Sequence, residues 1–359
     1  MATREETRQV MAGSVPIGGG APISVQSMTT ADTRDADAAI KQIRQLAAVG
    51  CEIVRVAVPD EEAADSLRSI RKASSVPLVA DIHFNYKLAL ASIEAGVDKL
   101  RINPGNIGGA DRVREVAHAA ADRGIPIRIG VNAGSLPADL VSKYGRTPEA
   151  MVEAALRHVS LLEREGFESI VLSLKASDVK RTTEAYRLIA RRAPYPLHVG
   201  ITEAGPPPGG LIKSAIGIGM VLSEGLGDTI RVSLTGDPRD EVIAGREILA
   251  SLGLRRFGPT IVSCPTCGRC RTDLAGIVKE VKDGLSHLDA PLVVAIMGCE
   301  VNGPGEASEA DVGLACGNGV GLIFSGGRVV RKVREAEMVG ALVEAAESMA
   351  ANRHEKSHG

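Results

Sequence analysis

Residues 77–103 have the sequence PLVADIHFNYKLALASIEAGVDKLRIN. A short β-rich run, Pro77–Ile82, is followed by a segment with helical apolar spacing, Tyr86–Ala95, and then by a second β-rich run, Lys99–Asn103. A strand, a helix and a strand in this order predict two parallel strands that are joined by a right-handed crossover.

The same strand–helix unit repeats from about residue 22 to residue 250. Eight such units are about the number at which a parallel sheet closes into a barrel, and no glycine fingerprint of a dinucleotide-binding sheet follows the first strand. We therefore predict a (β/α)8 TIM barrel, an α/β fold, in preference to an open doubly wound sheet. The predicted strands are Ile23–Met28, Glu52–Val58, Pro77–Ile82, Lys99–Asn103, Ile125–Val131, Ser169–Leu174, Leu197–Ile201 and Thr229–Leu234, and the predicted helices include Asp35–Val49, Tyr86–Ala95, Pro148–Glu165 and Asp237–Leu252.

The strand–helix rhythm stops near Leu252–Pro259. The rest of the sequence predicts a smaller α+β domain, because its elements follow in mixed order with long loops between them. We expect a barrel domain over residues 1–253 and a second domain over residues 254–359. The elements expected in the second domain are a helix near Gly276–Leu288, strands near Leu292–Met297, Val312–Ala315 and Gly321–Phe324, a hairpin at Gly326-Gly327 and a closing helix from Glu335 to about Ala351.

The composition excludes several classes of protein. The net charge of −2 argues against a nucleic-acid binder, and the aromatic content of 2% with no Trp argues against a base-stacking surface. The charged start of the chain has no apolar run after it, and no stretch reaches the roughly 18 apolar residues of a membrane helix. We therefore expect a cytoplasmic protein without a membrane span. Its six cysteines are then expected to be free thiols or metal ligands.

Charged and polar side chains stand at the carboxyl ends of the predicted barrel strands. TIM-barrel enzymes place their chemistry at this end of the barrel. The candidates for contact with a substrate are Arg55, Asp81, His83, Arg101, Asn103, Arg128, Asn132, Ser173, Lys175, Glu203, Arg231 and Ser233.

Five of these candidates are cations, whereas Asp81 and Glu203 are the carboxylates at comparable positions. Buried charge is costly unless it is paired, and guanidinium groups match phosphate oxygens. The cation surplus therefore predicts a small ligand with more than one phosphate. Glu203 is the candidate for proton transfer, because a carboxylate among cations can be tuned toward acid or base work. Its alternative role is that of a counter-ion to Arg231 or Lys175.

A second motif, Cys264-x-x-Cys267-x-x-Cys270 followed by Cys299, has the spacing of metal ligands. Zinc would be held by four thiolates in a closed structural site. An iron–sulfur cluster would also be held by thiolates, and the spacing is close to a ferredoxin pattern. The spacing favours the cluster and leaves zinc as an alternative.

The surroundings of these cysteines resemble the cluster-binding domain of the 4-hydroxy-3-methylbut-2-enyl diphosphate synthase family. Residues 263–269 (SCPTCGR) and 296–307 (IMGCEVNGPGEA) carry the resemblance in the second domain. It extends over nearly the whole chain, through the strings PISVQSMT (22–29), EIVRVAVP (52–59), ADIHF (80–84), RINPGN (101–106), RIGVN (128–132), SLKAS (173–177) and GITEAG (200–205).

The resemblance implies that Cys264, Cys267, Cys299 and Glu306 hold a [4Fe-4S] cluster. Cys270 departs from the family pattern, and we interpret it as a bystander. The implied reaction is the reductive ring opening of 2-C-methyl-D-erythritol 2,4-cyclodiphosphate, with electrons from flavodoxin or ferredoxin. The family further implies a homodimer in which the second domain of one chain covers the barrel of the other.

Two alternatives remain open at the level of sequence. One is a non-redox barrel enzyme, such as a lyase or a transferase, with a structural zinc domain. The other is an electron-transfer or regulatory protein whose cluster senses the redox state.

Overall fold

The structure is a computed structural model that describes residues 3–270, 272–299 and 307–357, with side chains up to residue 353. Contacts between Cα atoms divide the chain into two compact units, with the division after Arg255.

The first unit begins with a hairpin that packs against one end of a barrel. Strands β1 (Val10–Ala12) and β2 (Val15–Ile17) pair in antiparallel register. Val10, Ala12 and Ile17 form an apolar cluster with residues near the amino ends of three barrel strands, Ile53, Val79 and Val171. The amino end of the barrel interior is therefore filled by apolar side chains.

In residues 3–270, eight parallel strands follow one another around the barrel, and the predicted TIM-barrel fold is confirmed. A bridge between Leu172 and Leu197 joins the last two neighbours and closes the ring. The strands are β3 (Ser24–Met28), β4 (Ile53–Ala57), β5 (Leu78–Asp81), β6 (Lys99–Ile102), β7 (Ile127–Asn132), β8 (Ile170–Lys175), β9 (His198–Val199) and β10 (Thr229–Ile230). The helices between and after them are α1 (Ala36–Ala48), α2 (Glu61–Ala73), α3 (Tyr86–Ala95), α4 (Ala110–Asp122), α5 (Ala138–Tyr144), α6 (Pro148–Glu163), α7 (Val179–Ala190), α8 (Gly209–Ser223) and α9 (Pro238–Ser251).

Short polar side chains fix the starts of most barrel helices. The side chain of the residue before the helix accepts a backbone N–H from the first turn, which satisfies a group that has no partner inside the helix. Apolar residues at helical spacing, such as Ala39, Ile43 and Leu46 of α1, then face the barrel. The capping residues with such a hydrogen bond are Asp35, Asp60, Asn85, Thr147, Asp178 and Asp237.

Strands β9 and β10 are shorter than the sequence predicts. The chain turns out of the ladder after β9, where Glu203 adopts a left-handed backbone conformation with φ 52°. After β10, the backbone N–H of Leu234 donates to the Glu241 carboxylate at 3.0 Å instead of to a neighbouring strand. At this position a hydrogen bond to a side chain therefore replaces a hydrogen bond between strands.

The second unit contains a mixed five-stranded sheet among its described residues. Its strands are β11 (Thr260–Ser263), β12 (Val293–Met297), β13 (Val312–Cys316), β14 (Val320–Ser325) and β15 (Arg328–Arg334), and its helices are α10 (Leu274–Gly284) and α11 (Met338–Ser357). The first three strands run parallel, and the last two add in antiparallel order. The sequence does not predict β11, whose residues are largely exposed.

None of the helices in the described parts of the chain has both the length and the apolar character of a membrane span.

Candidate active site

Charged side chains line the barrel interior on the carboxyl side of the apolar cluster that fills its amino end. On β6, Lys99 and Arg101 lie two residues apart, so both point to the same face of the strand. Lys99 contacts Gln26 of β3 with 3.4 Å between Nζ and Oε1, and Arg101 reaches Asp81 of β5. These contacts place both cations inside the barrel. The cations that converge there, called the barrel cations below, are Arg55, Lys99, Arg101, Arg128, Lys175 and Arg231.

Asp81 is the counter-ion of two barrel cations. Its Oδ1 lies 3.2 Å from a terminal nitrogen of Arg101, and its Oδ2 lies 3.6 Å from Nε of Arg55. Burial alone would raise the pKa of Asp81, but the two guanidinium groups and His83 outweigh it and hold the pKa well below its usual range. Asp81 is therefore a fixed negative charge and not a proton donor.

Burial has the opposite effect on Arg55. It lowers the pKa of Arg55 to about 10, although Asp81 counteracts the shift.

Glu241 is the second buried carboxylate of the site, and it is not among the residues that the sequence predicts there. It accepts a hydrogen bond from the Ser27 hydroxyl at 3.0 Å, and its Oε2 lies 3.4 Å from Nε of Arg231. Glu241 lies on α9, behind the strand ends, where no strand-end pattern could indicate it. Glu203, in contrast, is exposed at the mouth. Arg231 therefore takes its counter-ion from α9, and Glu203 remains available at the surface of the site.

Arg128, Lys175 and Lys99 are buried without a carboxylate partner among the residues that the structure describes. Nε of Arg128 has no hydrogen-bond partner, and neither ring nitrogen of the buried His198 has one. Burial, reinforced by the neighbouring cations, lowers the pKa of each of these four groups well below its usual value. Buried basic side chains without carboxylate partners call for an anionic ligand.

The other predicted site residues lie around these cations. His83 is exposed, but its Nδ1 is 3.3 Å from the Arg101 guanidinium. The Asn103 side chain accepts the backbone N–H of Gly130 at 3.1 Å. Ser173 is buried, whereas Asn132 and Ser233 are half-buried at strand ends. Asn132 is the direct neighbour of Lys175 across β7 and β8.

Gly130 makes the position of Arg101 possible. A Cβ atom at residue 130 would lie 2.7 Å from Nε of Arg101, which is closer than real side chains approach. We expect Gly130→Ala to push the Arg101 guanidinium away from Asp81 and to weaken binding of a diphosphate ligand by about tenfold, since overpacking costs about 1–3 kcal/mol. Titration calorimetry with the ligand tests this, with Gly134→Ala as the control because a Cβ there meets no atom within 4 Å. Equal affinities of the two variants would contradict the expectation.

The cysteines of the second unit differ in their surroundings. Cys264 follows β11 and Cys299 follows the parallel neighbour β12, so both stand at the same edge of the sheet. The Cys264 sulfur accepts the backbone N–H of Gly298 at 3.2 Å. Hydrogen bonds from the backbone N–H and the guanidinium of Arg269 lower the pKa of the exposed Cys267 thiol. The lowered pKa of Cys267 favours its thiolate, which is the form that binds metal.

Cys270 differs from these residues because its thiol donates to the backbone oxygen of Thr272 at 3.3 Å. Cys51 and Cys316 are buried free thiols. Within residues 3–270, 272–299 and 307–357, no three His, Cys, Asp or Glu side chains are gathered closely enough to hold a metal ion. Glu306 lies outside the described residues.

Sequence reasoning missed Lys99, Gln26 and Glu241. Lys99 could have been found, because it precedes Arg101 by two residues and must share its face of the strand. Gln26 precedes Met28 in the same way on β3. No comparable signal marks Glu241.

Comparison with known proteins identifies close relatives of both units. The sequence profile of the GcpE TIM-barrel domain matches residues 7–246, and that of the GcpE protein C-terminal domain matches residues 260–348. The 4-hydroxy-3-methylbut-2-en-1-yl diphosphate synthase (flavodoxin) of Geobacter sulfurreducens is 58% identical over 352 residues, which cover 98% of this chain and 100% of that protein. The protein of the same name from Thermodesulfovibrio yellowstonii is 59% identical over 345 residues, which cover 96% of this chain and 99% of that protein.

Solved structures give a weaker likeness. Dihydropteroate synthase from Stenotrophomonas maltophilia aligns with a TM-score of 0.49 at 13% identity, covering 68% of this chain and 98% of that chain. A likeness of this degree has no bearing on function. The sequence relatives give no support to a lyase or a transferase with a structural zinc domain. The chain belongs to the GcpE family of 4-hydroxy-3-methylbut-2-enyl diphosphate synthases.

Proposed function

We propose that this protein catalyses the reductive ring opening and dehydration of 2-C-methyl-D-erythritol 2,4-cyclodiphosphate to (E)-4-hydroxy-3-methylbut-2-enyl diphosphate, a step of the methylerythritol phosphate route to isoprenoids. The names of its relatives support this reaction and give flavodoxin as the electron donor. We further propose that the enzyme works in the cytoplasm and that ferredoxin can replace flavodoxin.

The observation that carries the proposal is the excess of basic side chains over carboxylates inside the barrel, where the four guanidinium groups alone outnumber the two carboxylates. Among the described residues, six barrel cations face two buried carboxylates, Asp81 and Glu241. A cyclic diphosphate carries two phosphate charges at a separation that one ring fixes. Guanidinium groups can bind both phosphates at once, and the ligand charge then compensates the cations that lack a carboxylate.

In this proposal, the barrel unit binds the substrate and the second unit carries a [4Fe-4S] cluster. Cys264, Cys267 and Cys299 would hold the cluster, and Glu306 would be the fourth ligand. The donor set fits, because thiolates are the usual ligands of such clusters, Arg269 lowers the pKa of the Cys267 thiol, and Cys264 and Cys299 follow neighbouring parallel strands at one edge of the sheet. When bound, the cluster would supply electrons one at a time and an iron that no thiolate holds.

The protein's own residues would bind, orient and protonate the substrate. Arg55 and Arg101 are held in place by Asp81, and Arg231 is held by Glu241, so these guanidinium groups are fixed before the ligand arrives. Glu203 would deliver the proton with which the departing hydroxyl leaves as water. Its exposed position at the mouth, after β9, supports this role because a proton lost to the substrate can be replaced from solvent.

Turnover of the cyclic diphosphate, with dithionite and a viologen dye as the reductant, tests the function directly. We expect a brown anaerobic preparation that contains iron and sulfide and forms the linear diphosphate. A colourless protein that contains zinc, or an iron protein without turnover, would contradict the proposal.

We also propose a homodimer. Its support is an apolar surface on α8 and α9, where Ile212, Ile216 and Ile243 expose 58%, 51% and 44% of their area. Apolar side chains that cluster on a surface often mark an interface between proteins.

Charge placed on this apolar surface is expected to separate the protomers. The double variant Ile216→Glu/Ile243→Glu should sediment as a monomer, since two carboxylates would be desolvated in the interface. Met11→Glu is the matched control, because Met11 is likewise an exposed apolar residue, at 45%, but belongs to β1 and not to α8 or α9. A double variant that stays dimeric in analytical ultracentrifugation would place the interface elsewhere.

A further inference from the structure

Neither of the two buried lysines of the barrel forms an ion pair with a carboxylate among the residues that the structure describes. The hydrogen-bond partner of Lys99 is the neutral amide of Gln26, at 3.4 Å. Lys175 lies against Gly200, where a Cβ atom would be 2.8 Å from Nζ. Both carboxylates of the site are already engaged, Asp81 by Arg55 and Arg101, and Glu241 by Arg231.

We propose that Lys99 and Lys175 are uncharged in the ligand-free barrel and take up protons when a diphosphate enters it. This inference rests on the proposed function and extends it, because it adds Lys99 to the substrate site as a residue whose protonation changes when the ligand binds.

The groups that surround the two lysines are almost all positive or neutral. Those that face Lys99 are Arg101 on its own strand, Arg128 on β7, Arg55 on β4, Gln26 on β3 and His198 on β9. Those that face Lys175 are Arg128, Arg55, Arg231 on β10, His198 and, from α9, Glu241. Glu241 is thus the one carboxylate in these two sets, and it already pairs with Arg231.

The lysines are the groups that can respond to this environment. Arginine keeps its proton in proteins, so repulsion among the barrel cations is relieved where a lysine loses its charge. Burial and the neighbouring guanidinium groups act in the same direction and lower the pKa of both lysines. A dianion that enters the barrel reverses the balance, since it attracts positive charge onto the same nitrogens.

Binding is then coupled to proton uptake, with a definite sign. A ligand whose binding makes the protein take up a proton binds more weakly as the pH rises, by about tenfold per pH unit for each proton. The cyclic diphosphate is a suitable ligand for the measurement. Each of its phosphates keeps one strongly acidic oxygen, so its own charge does not change near neutral pH.

Titration calorimetry of the cluster-loaded enzyme with 2-C-methyl-D-erythritol 2,4-cyclodiphosphate, without an electron donor, tests the proposal. At pH 8, above the usual pKa of histidine, the binding heat is measured in two buffers that differ in ionisation enthalpy. The difference gives the number of protons taken up, which we expect to be about one or more in the wild type.

Lys99→Met keeps the length of the side chain and removes the titrating nitrogen. We expect this variant to bind the ligand with an uptake that is lower by up to about one proton. Lys180→Met, at an exposed position of α7, should not change the uptake. Circular dichroism and the melting temperature show whether Lys99→Met is folded. If it is not, the pH dependence of wild-type affinity between pH 7 and 9 decides, since a flat profile would exclude uptake.

The outcomes separate this inference from the proposed function. Binding with equal heats in both buffers would overturn the inference and leave the diphosphate site intact. An uptake that is unchanged in Lys99→Met would remove Lys99 from the proposal. Absence of binding would overturn the proposed function together with the inference.

Discussion

Replacement of Glu203 by Gln is expected to lower turnover of the cyclic diphosphate by about two to four orders of magnitude, the range typical of a lost general acid. The amide has the shape of the carboxyl group but cannot deliver the proton to the departing hydroxyl. Glu203 is exposed at the mouth and forms no part of the ion pairs of Asp81 and Glu241, so the barrel cations should keep their positions. Ligand affinity and iron content are therefore expected to stay within about twofold of the wild type.

A second variant at the same position separates chemistry from folding. Glu203 has φ 52°, a conformation that glycine adopts without strain. Glu203→Gly should be at least as stable as the wild type in urea unfolding, and yet as inactive as Glu203→Gln. Glu94→Gln, an exposed change on α3, is the control for removal of a surface carboxylate. If Glu203→Gln turns over at the wild-type rate, another group supplies the proton.

The elements that the sequence predicts best are those with local signals at both ends. Helix α3 is predicted over Tyr86–Ala95 and observed over the same residues, because the Asn85 side chain caps its start and Gly96, at φ 89°, ends it. Strand β11 has no such local signal. Its residues are largely exposed and do not alternate between buried and exposed positions. It exists because β12 provides a parallel partner 33 residues later, from Thr260 to Val293.

The site could be predicted as far as it lies on strand ends. Arg55, Asp81 and Arg101 follow from the rule that barrel chemistry gathers at the carboxyl ends of the strands. Glu241 does not follow from this rule, because it lies on a helix that packs behind β3. Its contacts with Ser27 and Leu234 depend on how that helix packs, which no residue spacing in the sequence predicts. The sequence therefore predicts that the cations converge at the strand ends, but it does not predict which carboxylate pairs with which cation.

The cysteines give the other large expected effect. Cys264→Ser should lose most of its iron and sulfide and all measurable turnover, whereas Cys270→Ser should retain both. The two sulfurs lie near the same backbone position: Cys264 accepts the N–H of Gly298, and a Cβ on Gly298 would be 2.8 Å from the sulfur of Cys270. Their hydrogen bonds have opposite senses. The Cys264 sulfur accepts the backbone N–H of Gly298, whereas the Cys270 thiol donates to the backbone oxygen of Thr272 and is already engaged within its own loop.

The pair of variants is therefore its own matched control, since the same atom changes at neighbouring positions of one loop. Iron and sulfide analysis after anaerobic purification measures the cluster without relying on turnover. The instructive contrary result is loss of iron in Cys270→Ser together with its retention in Cys267→Ser. Cys267 is exposed and Cys270 is half-buried, and a cluster that binds Cys270 would have to break its hydrogen bond to Thr272. Loss of that hydrogen bond costs about 0.5–1.5 kcal/mol. Cys267 can bind iron without this cost, and its thiol has a lowered pKa. Cys267 is accordingly the residue that we expect to bind iron.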